Sequence, residues 1–199
     1  MPKRKRKPRN VDASDVNGEG NVVLHETVPL QLRYYGDPVL RKRAKPVAEI
    51  TDAELQFAEQ MFMTLEGTGN GIGLAATQVG VLKRIIIINI GEIDDEVYEP
   101  LVLFNPEILS SEGEIVAEEG CLSIPDVTAD VKRPERIVVE GINAERESIR
   151  IEADGLLSRV LLHEIDHLNG VLFIDRIGGL KRRLLSDELL RLQRAERPS

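Results

Sequence analysis

A chain of 199 residues, 42% of them hydrophobic, is long enough to bury one sizeable core and too short for two ordinary domains. Its formal net charge of -8 coexists with six basic side chains among residues 1–9, so the rest is strongly acidic, which argues against sequence-specific nucleic-acid binding. No apolar run approaches the length of a membrane span. The single cysteine cannot form an internal disulfide, so we expect a protein of the reducing cytoplasm.

The first 27 residues are charged and poor in apolar side chains. Burial would not offset the entropy of ordering such a segment. We predict a flexible basic and polar tail over residues 1–27, including His25, and a single domain over residues 28–199.

The first part of the predicted domain contains one helix and several strands. Thr51 and Glu54 have the spacing of a capping box ahead of apolar residues at helical intervals, which predicts a core-facing helix that ends in the glycine-rich stretch after Gly67. The β-branched run Ile85–Ile88 predicts a buried strand. Three further short runs predict strands: Leu101–Phe104, Arg136–Glu140 and Ser148–Glu152.

Two helices are predicted in the last third of the chain. One begins with Asp154 as its N-cap and ends before Gly170. The other is amphipathic and spans roughly Leu180 to Arg194. Short strands without regular strand–helix alternation predict an α+β fold, in which mixed or antiparallel strands pack around a central helix and a C-terminal helix follows.

The strongest local signal is the pattern His163-Glu164-Ile165-Asp166-His167. Two histidines four residues apart lie about 40° apart around a helix axis, so both imidazoles can face one metal ion, and Glu164 can reach a water held there. In the alternative interpretation these side chains only cap or pair. Because the surrounding helix is rich in leucine, buried histidines would be costly without a partner, which favours a metal.

Cys121 is the candidate third ligand, because a catalytic divalent metal usually takes three protein ligands and leaves one position open. A lone cysteine is otherwise most often a small buried hydrophobe. Gly120 before it permits an unusual backbone, and Pro125 is expected to end the segment. We therefore predict a bend that points the thiolate inward.

The segment Gly71-Ile72-Gly73-Leu74-Ala75-Ala76-Thr77-Gln78 reads, on its own, as a flexible loop leading into a strand. No Lys-Ser or Lys-Thr follows the glycines, so a phosphate-binding loop is not predicted. The glycines would allow an extended ligand to approach the backbone, and the Gln78 amide could donate a hydrogen bond to an oxyanion.

Three motifs, G-I-G-L-A-A-T-Q, E-G-C-L-S and H-E-I-D-H, occur in this order, and the chain resembles the peptide deformylase family from about Val28 to Leu180. A Gly36-Asp37-Pro38-Val39-Leu40-Arg41 opening and a Phe104-Asn105-Pro106 turn add to the resemblance. It implies hydrolysis of the N-formyl group from the N-terminal formylmethionine of nascent polypeptides, with release of formate.

Carried over by position, the resemblance also implies roles for individual residues. It assigns the metal ligands to Cys121, His163 and His167. Glu164 would be the general acid and base, while Gln78 and the Leu122 backbone N–H would stabilise the oxyanion. Arg133 would support the site through an ion pair with Glu119. Substrate binding, including the pocket for the first side chain, would involve Gly71, Ile72, Gly73, Ala117, Glu119, Gly120, Leu156, Arg159, Val160 and His163.

One thiolate and two imidazoles are compatible with Fe²⁺, Zn²⁺, Ni²⁺ or Co²⁺. The resemblance favours one Fe²⁺ per chain, with the other ions as substitutes. Expected partners are N-formylmethionyl nascent peptides and, through the basic tail, the ribosome near its exit site.

Two alternative functions compete with this prediction. A zinc-dependent endopeptidase shares the H-E-x-x-H pattern, but it would need a third ligand downstream, where no His or Glu is well placed. A non-catalytic metal or RNA-binding module would use the cluster only for structure. Structural metal sites prefer four protein ligands and have no use for Glu164.

Overall fold

A computed structural model describes residues 28–93 and 96–194. The tail predicted over residues 1–27, together with His25, lies outside the described residues. Within the described part of the chain, no helix has both the length and the apolar character needed to cross a bilayer.

The described residues form four α-helices and nine strands. The helices are α1 (Asp52–Gly67), α2 (Gly155–Leu168), α3 (Gly179–Leu184) and α4 (Ser186–Arg194). The strands are β1 (Gly73–Ala75), β2 (Ile85–Ile88), β3 (Gly91–Ile93), β4 (Glu96–Tyr98), β5 (Leu101–Glu112), β6 (Ile115–Cys121), β7 (Ile124–Arg133), β8 (Arg136–Ile142) and β9 (Ser148–Asp154). A five-stranded antiparallel sheet has the order β1-β2-β5-β8-β9, and β3–β4 and β6–β7 are separate two-stranded pairs. The predicted α+β class is confirmed.

The environment of β2, between β1 and β5 in the sheet, explains why four isoleucines follow one another. Ile86 and Ile88 belong to the apolar cluster that includes residues of α2. Ile85 and Ile87 belong to the cluster that includes residues of α1. Since both faces of this strand are buried, it shows no polar alternation, and each isoleucine contributes on the order of 1.5–3 kcal/mol by burial, as an upper estimate.

Helix α1 begins where the capping box predicted. Thr51 is its N-cap, and the Thr51 backbone N–H donates to the Glu54 side chain at 3.2 Å. The helix ends at Gly67, where the Thr68 hydroxyl donates to the Leu65 carbonyl at 2.7 Å.

Strand β5 differs from its prediction, because it continues past Phe104 to Glu112. The expected turn at Asn105 is a bulge, with a register shift against β8 between Phe104 and Glu107 and a φ of 52° at Asn105. The Asn105 side chain bonds the backbone N–H and carbonyl of Val47 at 2.7 and 2.9 Å. Pro106 is tolerated because a bulge leaves a strand residue without a ladder partner.

The prediction of one continuous C-terminal helix from Leu180 to Arg194 is wrong in one respect. The helical segment is divided into α3 and α4 at Leu185. The Ser186 hydroxyl donates to the Arg183 carbonyl at 2.6 Å. This side-chain hydrogen bond competes with the backbone N–H groups that would otherwise use that carbonyl in a continuous helix. Leu189 is buried while Leu184 is exposed, so only α4 contributes substantially to the core.

The antiparallel hairpin formed by β6 and β7 was not predicted. Cys121 is the last residue of β6 and pairs with Ile124 across the turn. Pro125 was expected to end the segment, but it is the second residue of β7. The expected bend is therefore a hairpin turn at Leu122 and Ser123, and it places Cys121 beside α2.

Candidate active site

Helix α2 presents both histidines to the same point. Residues four apart share a helix face, and the Nε2 atoms of His163 and His167 lie 3.2 Å apart. The sulfur of Cys121 lies 3.2 Å from Nε2 of His167. The three ligand atoms are all within 4.8 Å of one another, although one comes from a hairpin and two from a helix.

These three donors suit a divalent metal ion. The Nδ1 atom of His163 is 3.1 Å from a carboxylate oxygen of Glu119, so Nδ1 can donate its proton there and leave the Nε2 lone pair facing the cluster. Among the described residues, the buried Nδ1 of His167 has no hydrogen-bond partner. A cation bound between the three donor atoms would hold lone pairs that otherwise repel.

The protonation of the two histidines is shaped by burial and by their neighbours. Burial and the nearby charge of His163 hold the pKa of His167 well below its usual value, which keeps that imidazole neutral. Burial also opposes charge on His163, but hydrogen bonds with Cys121 and Glu119 raise its pKa well above the usual value. A metal ion bound here would require both imidazoles to be neutral.

Glu164 is the buried carboxyl of the site. Burial raises its pKa to about 7, with His163 and Arg133 opposing the shift, and its Oε2 atom has no partner among the described residues. A Cβ atom on Gly73 would lie 2.6 Å from Oε1 of Glu164. A side chain at position 73 would displace this carboxyl from its present place, where it can accept and release a proton near neutral pH.

Gln78 has a fixed side-chain orientation. Its Oε1 atom accepts from the Ala75 backbone N–H at 2.8 Å, which directs Nε2 towards Ser123 Oγ at 3.3 Å and Cys121 Sγ at 3.7 Å. The segment around it is not the flexible loop expected from its glycines. It comprises β1 and a buried 3₁₀ turn over Ala76–Val79.

A buried ionic network joins the hairpin to α2. Arg133 donates to Glu119 at 2.7 and 2.8 Å and to Asp166 at 2.6 Å. Arg176 donates to Asp166 from the C-terminal side at 2.9 Å. Although burial favours the neutral acid, hydrogen bonds from Arg133 and His163 hold the pKa of Glu119 well below its usual range. The Glu119–Arg133 pair expected from the resemblance is present.

Sequence reasoning missed Asp166 as the second carboxylate of this network. A signal for it existed, because an acid in the middle of a leucine-rich helix needs a partner. Its partners Arg133 and Arg176 lie 33 and 10 residues away, and no local pattern could identify them.

One cleft of about 480 Å³ contains most of the predicted site. The predicted residues that line it are Gly71, Ile72, Gly73, Gln78, Glu119, Gly120, Cys121, Leu122, Leu156, Arg159, Val160, His163 and Glu164. His167, Arg133 and Ala117 are not among its lining residues. The hairpin adds lining residues that no sequence signal indicated, because the hairpin itself was not predicted: Glu118, Ile124, Pro125, Asp126, Val127 and Thr128.

A helix with two histidines four residues apart, a converging thiol and a buried carboxyl in one cleft defines a metal-dependent hydrolase. The model of the polypeptide deformylase family matches residues 29–183. The chain belongs to this family.

Individual relatives agree with this assignment. Peptide deformylase from Thermodesulfovibrio yellowstonii is 48% identical over 155 residues, which are 78% of this chain and 93% of that protein. The crystal structure of a peptide deformylase from Legionella pneumophila is similar with a TM-score of 0.76 and 38% identity, covering 86% of this chain and 100% of that one. A peptide deformylase from Synechococcus elongatus, solved in complex with actinonin, has a TM-score of 0.74 and 46% identity, covering 80% and 88% of the two chains.

The predicted activity, hydrolytic removal of the N-formyl group from new polypeptides, is thereby confirmed. The chain is a hydrolase of protein biosynthesis. Neither the endopeptidase nor the non-catalytic module is supported by any of these relatives.

Proposed function

We propose that this chain deformylates nascent polypeptides with a divalent ion held by Cys121, His163 and His167. The observation that carries the proposal is the convergence of one sulfur and two Nε2 atoms within 4.8 Å, in the same cleft as Glu164. A divalent ion in such a site supplies Lewis acidity, which makes water a competent nucleophile near neutral pH and polarises the carbonyl of the substrate.

Glu164 is proposed as the group that moves the proton. Its pKa of about 7 lets it be present as a carboxylate that accepts a proton from the attacking water. The same carboxyl then donates that proton to the nitrogen that leaves as the new N-terminal amine. A group whose pKa is close to the working pH performs both steps with little cost.

Gln78 and the Leu122 backbone N–H are proposed as donors to the oxyanion that forms when water attacks the formyl carbon. The hydrogen bond from Ala75 to Gln78 Oε1 fixes the amide so that its N–H₂ group faces the cluster before substrate binds. Such preorganised donors stabilise developing charge without reorganisation.

Substrate binding is assigned to the remaining cleft residues. The backbone around Gly71 and Gly73 would receive the extended peptide, and Glu119 and Gly120 would form the opposite side. The pocket for the first side chain would be formed by Ile72, Leu156, Arg159 and Val160.

Fe²⁺ is proposed as the ion used in the cell, with Zn²⁺, Ni²⁺ and Co²⁺ as substitutes. All four are compatible with a thiolate and two imidazoles, and the family resemblance favours iron. Since a ferrous ion beside a thiolate is exposed to oxidation, activity should be lost in air for the iron form and retained for the nickel or cobalt form.

Formate release from a formyl-Met peptide, assayed without oxygen and combined with metal analysis of the same sample, tests these assignments. We expect one formate per deformylated peptide, one ion per chain, and no tightly bound ion in Cys121→Ala. Full metal binding in Cys121→Ala, or air-stable activity of the iron form, would contradict the ligand or the metal assignment respectively.

We also propose that residues 1–27 are a tail attached to one catalytic domain over residues 28–199, and that the enzyme acts in the cytoplasm beside the ribosome. Six basic side chains among residues 1–9 support a weak attraction to ribosomal RNA. Deletion of residues 2–9 should weaken salt-sensitive ribosome binding and leave turnover of small peptides unchanged. Ribosome binding that is unaffected by the deletion would contradict this role.

A further inference from the structure

A second buried arginine approaches the carboxylate that supports the ligands. Arg159 lies on α2 one turn before His163 and is 8% exposed. Its Nη1 atom donates to Glu119 at 2.6 Å, on the same Oε1 atom that accepts from Arg133. A guanidinium, and not an apolar side chain, therefore occupies the junction between the helix and the hairpin.

Within the described part of the chain, the hydrogen bonds of this guanidinium all end on the hairpin. Besides Glu119, Nη1 donates to the carbonyl of Val131 at 3.1 Å and to that of Ala117 at 3.4 Å, while Nη2 donates to the carbonyl of Ile115 at 3.2 Å. These acceptors lie on both β6 and β7. Arginine suits this position because its planar fork offers several donors in a fixed geometry.

The hairpin needs such a connection. Within the described residues, β6 and β7 pair only with each other and do not join the five-stranded sheet. No strand ladder therefore sets the distance between Cys121 at the end of β6 and the histidines of α2. That distance depends on side-chain packing and on the buried contacts that cross between the two elements.

We propose that Arg159 is a positioning residue that binds the Cys121-bearing hairpin to the histidine-bearing helix and thereby sets the separation of the metal ligands. Through Glu119 it also acts on His163, whose Nδ1 atom is 3.1 Å from the other oxygen of that carboxylate. The inference rests on the proposed metal site, and it gives Arg159 a role beyond that of a wall residue of the substrate pocket.

Co²⁺ binding to the metal-free protein, followed by optical titration without oxygen, tests this role independently of turnover. Cobalt–thiolate absorption reports the sulfur ligand directly. Arg159→Met keeps an unbranched stem but removes the charge and all donors, and we expect Co²⁺ affinity to fall about 10- to 100-fold, with a changed spectrum. Arg159→Lys, which keeps the charge but not the fork, should give an intermediate loss.

Arg146→Met is the matched control. Its guanidinium also bonds a backbone carbonyl, that of Ile50 at 2.8 Å, and a carboxylate, that of Asp52, but neither partner belongs to α2 or to the hairpin. Co²⁺ affinity and spectrum should be unchanged in this variant.

The outcomes distinguish a failure of the positioning role of Arg159 from a failure of the proposed metal site. Wild-type affinity and spectrum in a folded Arg159→Met, with only KM raised, would show a pocket wall and overturn the positioning role. If the methionine variant does not fold, the lysine variant decides: unchanged binding overturns the proposal and weakened binding supports it. Wild-type Co²⁺ affinity in Cys121→Ala, which has no other cysteine, would instead refute the proposed metal site itself.

Discussion

Helix α2 and the β6–β7 hairpin each supply metal ligands, yet they are held in place by different means. The apolar face of α2 belongs to the same cluster as β2 and β8, with Leu161 and Leu168 fully buried. The hairpin packs some residues on the C-terminal segment, but its connection to α2 consists largely of buried ionic contacts. The donors contributed by α2 are positioned by hydrophobic packing, whereas the donor contributed by the hairpin depends on electrostatic complementarity.

This difference has an energetic consequence. Hydrophobic packing tolerates small changes with graded losses, since each lost methylene removes a limited area. A buried ion pair behaves less gradually, because removal of one partner leaves the other charge buried and unpaired. The hairpin side of the site should therefore be the more sensitive to isosteric changes of charge.

The largest effect is expected when α2 loses its proton-accepting carboxylate but keeps its packing. Glu164→Gln keeps the shape of the side chain beside Gly73 but removes the proton acceptor, so kcat should fall about 10²- to 10⁴-fold while the metal remains bound. Steady-state formate release and metal analysis measure the two quantities. Glu140→Gln, on the exposed surface of β8, is the control with unchanged turnover.

A Glu164→Gln enzyme with wild-type kcat and full metal content would remove Glu164 from the mechanism. Joint loss of metal and activity would assign Glu164 to metal retention and not to proton transfer.

The hairpin side is tested by Glu119→Gln, which removes one carboxylate charge next to Arg133 and Arg159. The free energy of unfolding should fall by about 3–5 kcal/mol, as for other broken buried pairs. Urea denaturation in excess chelator measures it without a contribution from bound metal.

Glu112→Gln is a control of the same chemistry, since the Glu112–Arg136 contact of 2.6 Å is as short as the Glu119–Arg133 contact of 2.7 Å but is exposed to solvent. Little change is expected there because solvent screens the pair. Equal losses in the two variants would show that burial of the network is not what holds the hairpin.

The difference between the hydrophobic packing of α2 and the ionic contacts of the hairpin also explains which features could be predicted from the sequence. Helix α2, the isoleucine strand and the start of α1 carry local signals, namely helical periodicity, a β-branched run and a capping box. The motif containing His163 and His167 predicted a shared direction from helix geometry alone. The structure brings Cys121 to that motif as expected, although the roles of these residues in binding and catalysis remain predictions.

The rest could not be predicted because its causes are distant in the chain. The strand β6 is mostly exposed, so it lacks the alternation that marks a strand, and Pro125 suggested an end where β7 continues. The bulge at Asn105 depends on Val47, 58 residues away. Arg159 and Asp166 gained partners only when the hairpin had folded beside α2.

A smaller effect should occur at the C-terminal end of α2, which a local signal predicted correctly. Gly170 has a φ of 75°, and a Cβ atom there would lie 2.6 Å from the carbonyl oxygen of Arg41. Gly170→Ala should lower the free energy of unfolding by at least the 1–2 kcal/mol or so that a left-handed conformation costs an L-residue. Thermal or urea denaturation measures the loss.

Gly67→Ala is the comparison at the end of α1, where a Cβ atom would meet nothing within 4 Å. That variant should be neutral or more stable by up to about 1 kcal/mol, because alanine has the higher helix propensity. A destabilised Gly67→Ala beside a neutral Gly170→Ala would reverse the assignment of strain.

The smallest effect is expected at Glu54 near the start of α1, whose hydrogen-bond partners among the described residues, Thr51 and Lys83, belong neither to the hairpin nor to α2. Hydrogen bonds from Lys83 and Thr51 lower the pKa of Glu54 from 4.5 to about 2. A carboxyl whose pKa is lowered on folding stabilises the protein above its unfolded pKa, and this contribution is lost as the pH falls through the folded pKa. Since the Lys83 side chain is 47% exposed, solvent screening should limit the contribution to less than about 1 kcal/mol.

Comparison of the wild type with Glu54→Gln isolates this term, because both proteins share every other titrating group. The stability difference should be constant above about pH 5, shrink between the unfolded value of 4.5 and the folded value of about 2, and vanish below it. A difference that is independent of pH across this window would mean that Glu54 stabilises α1 through its hydrogen bonds and not through its charge. Helix α1 would then depend little on ionic contacts, and the hairpin would be the part of this enzyme whose position depends on them.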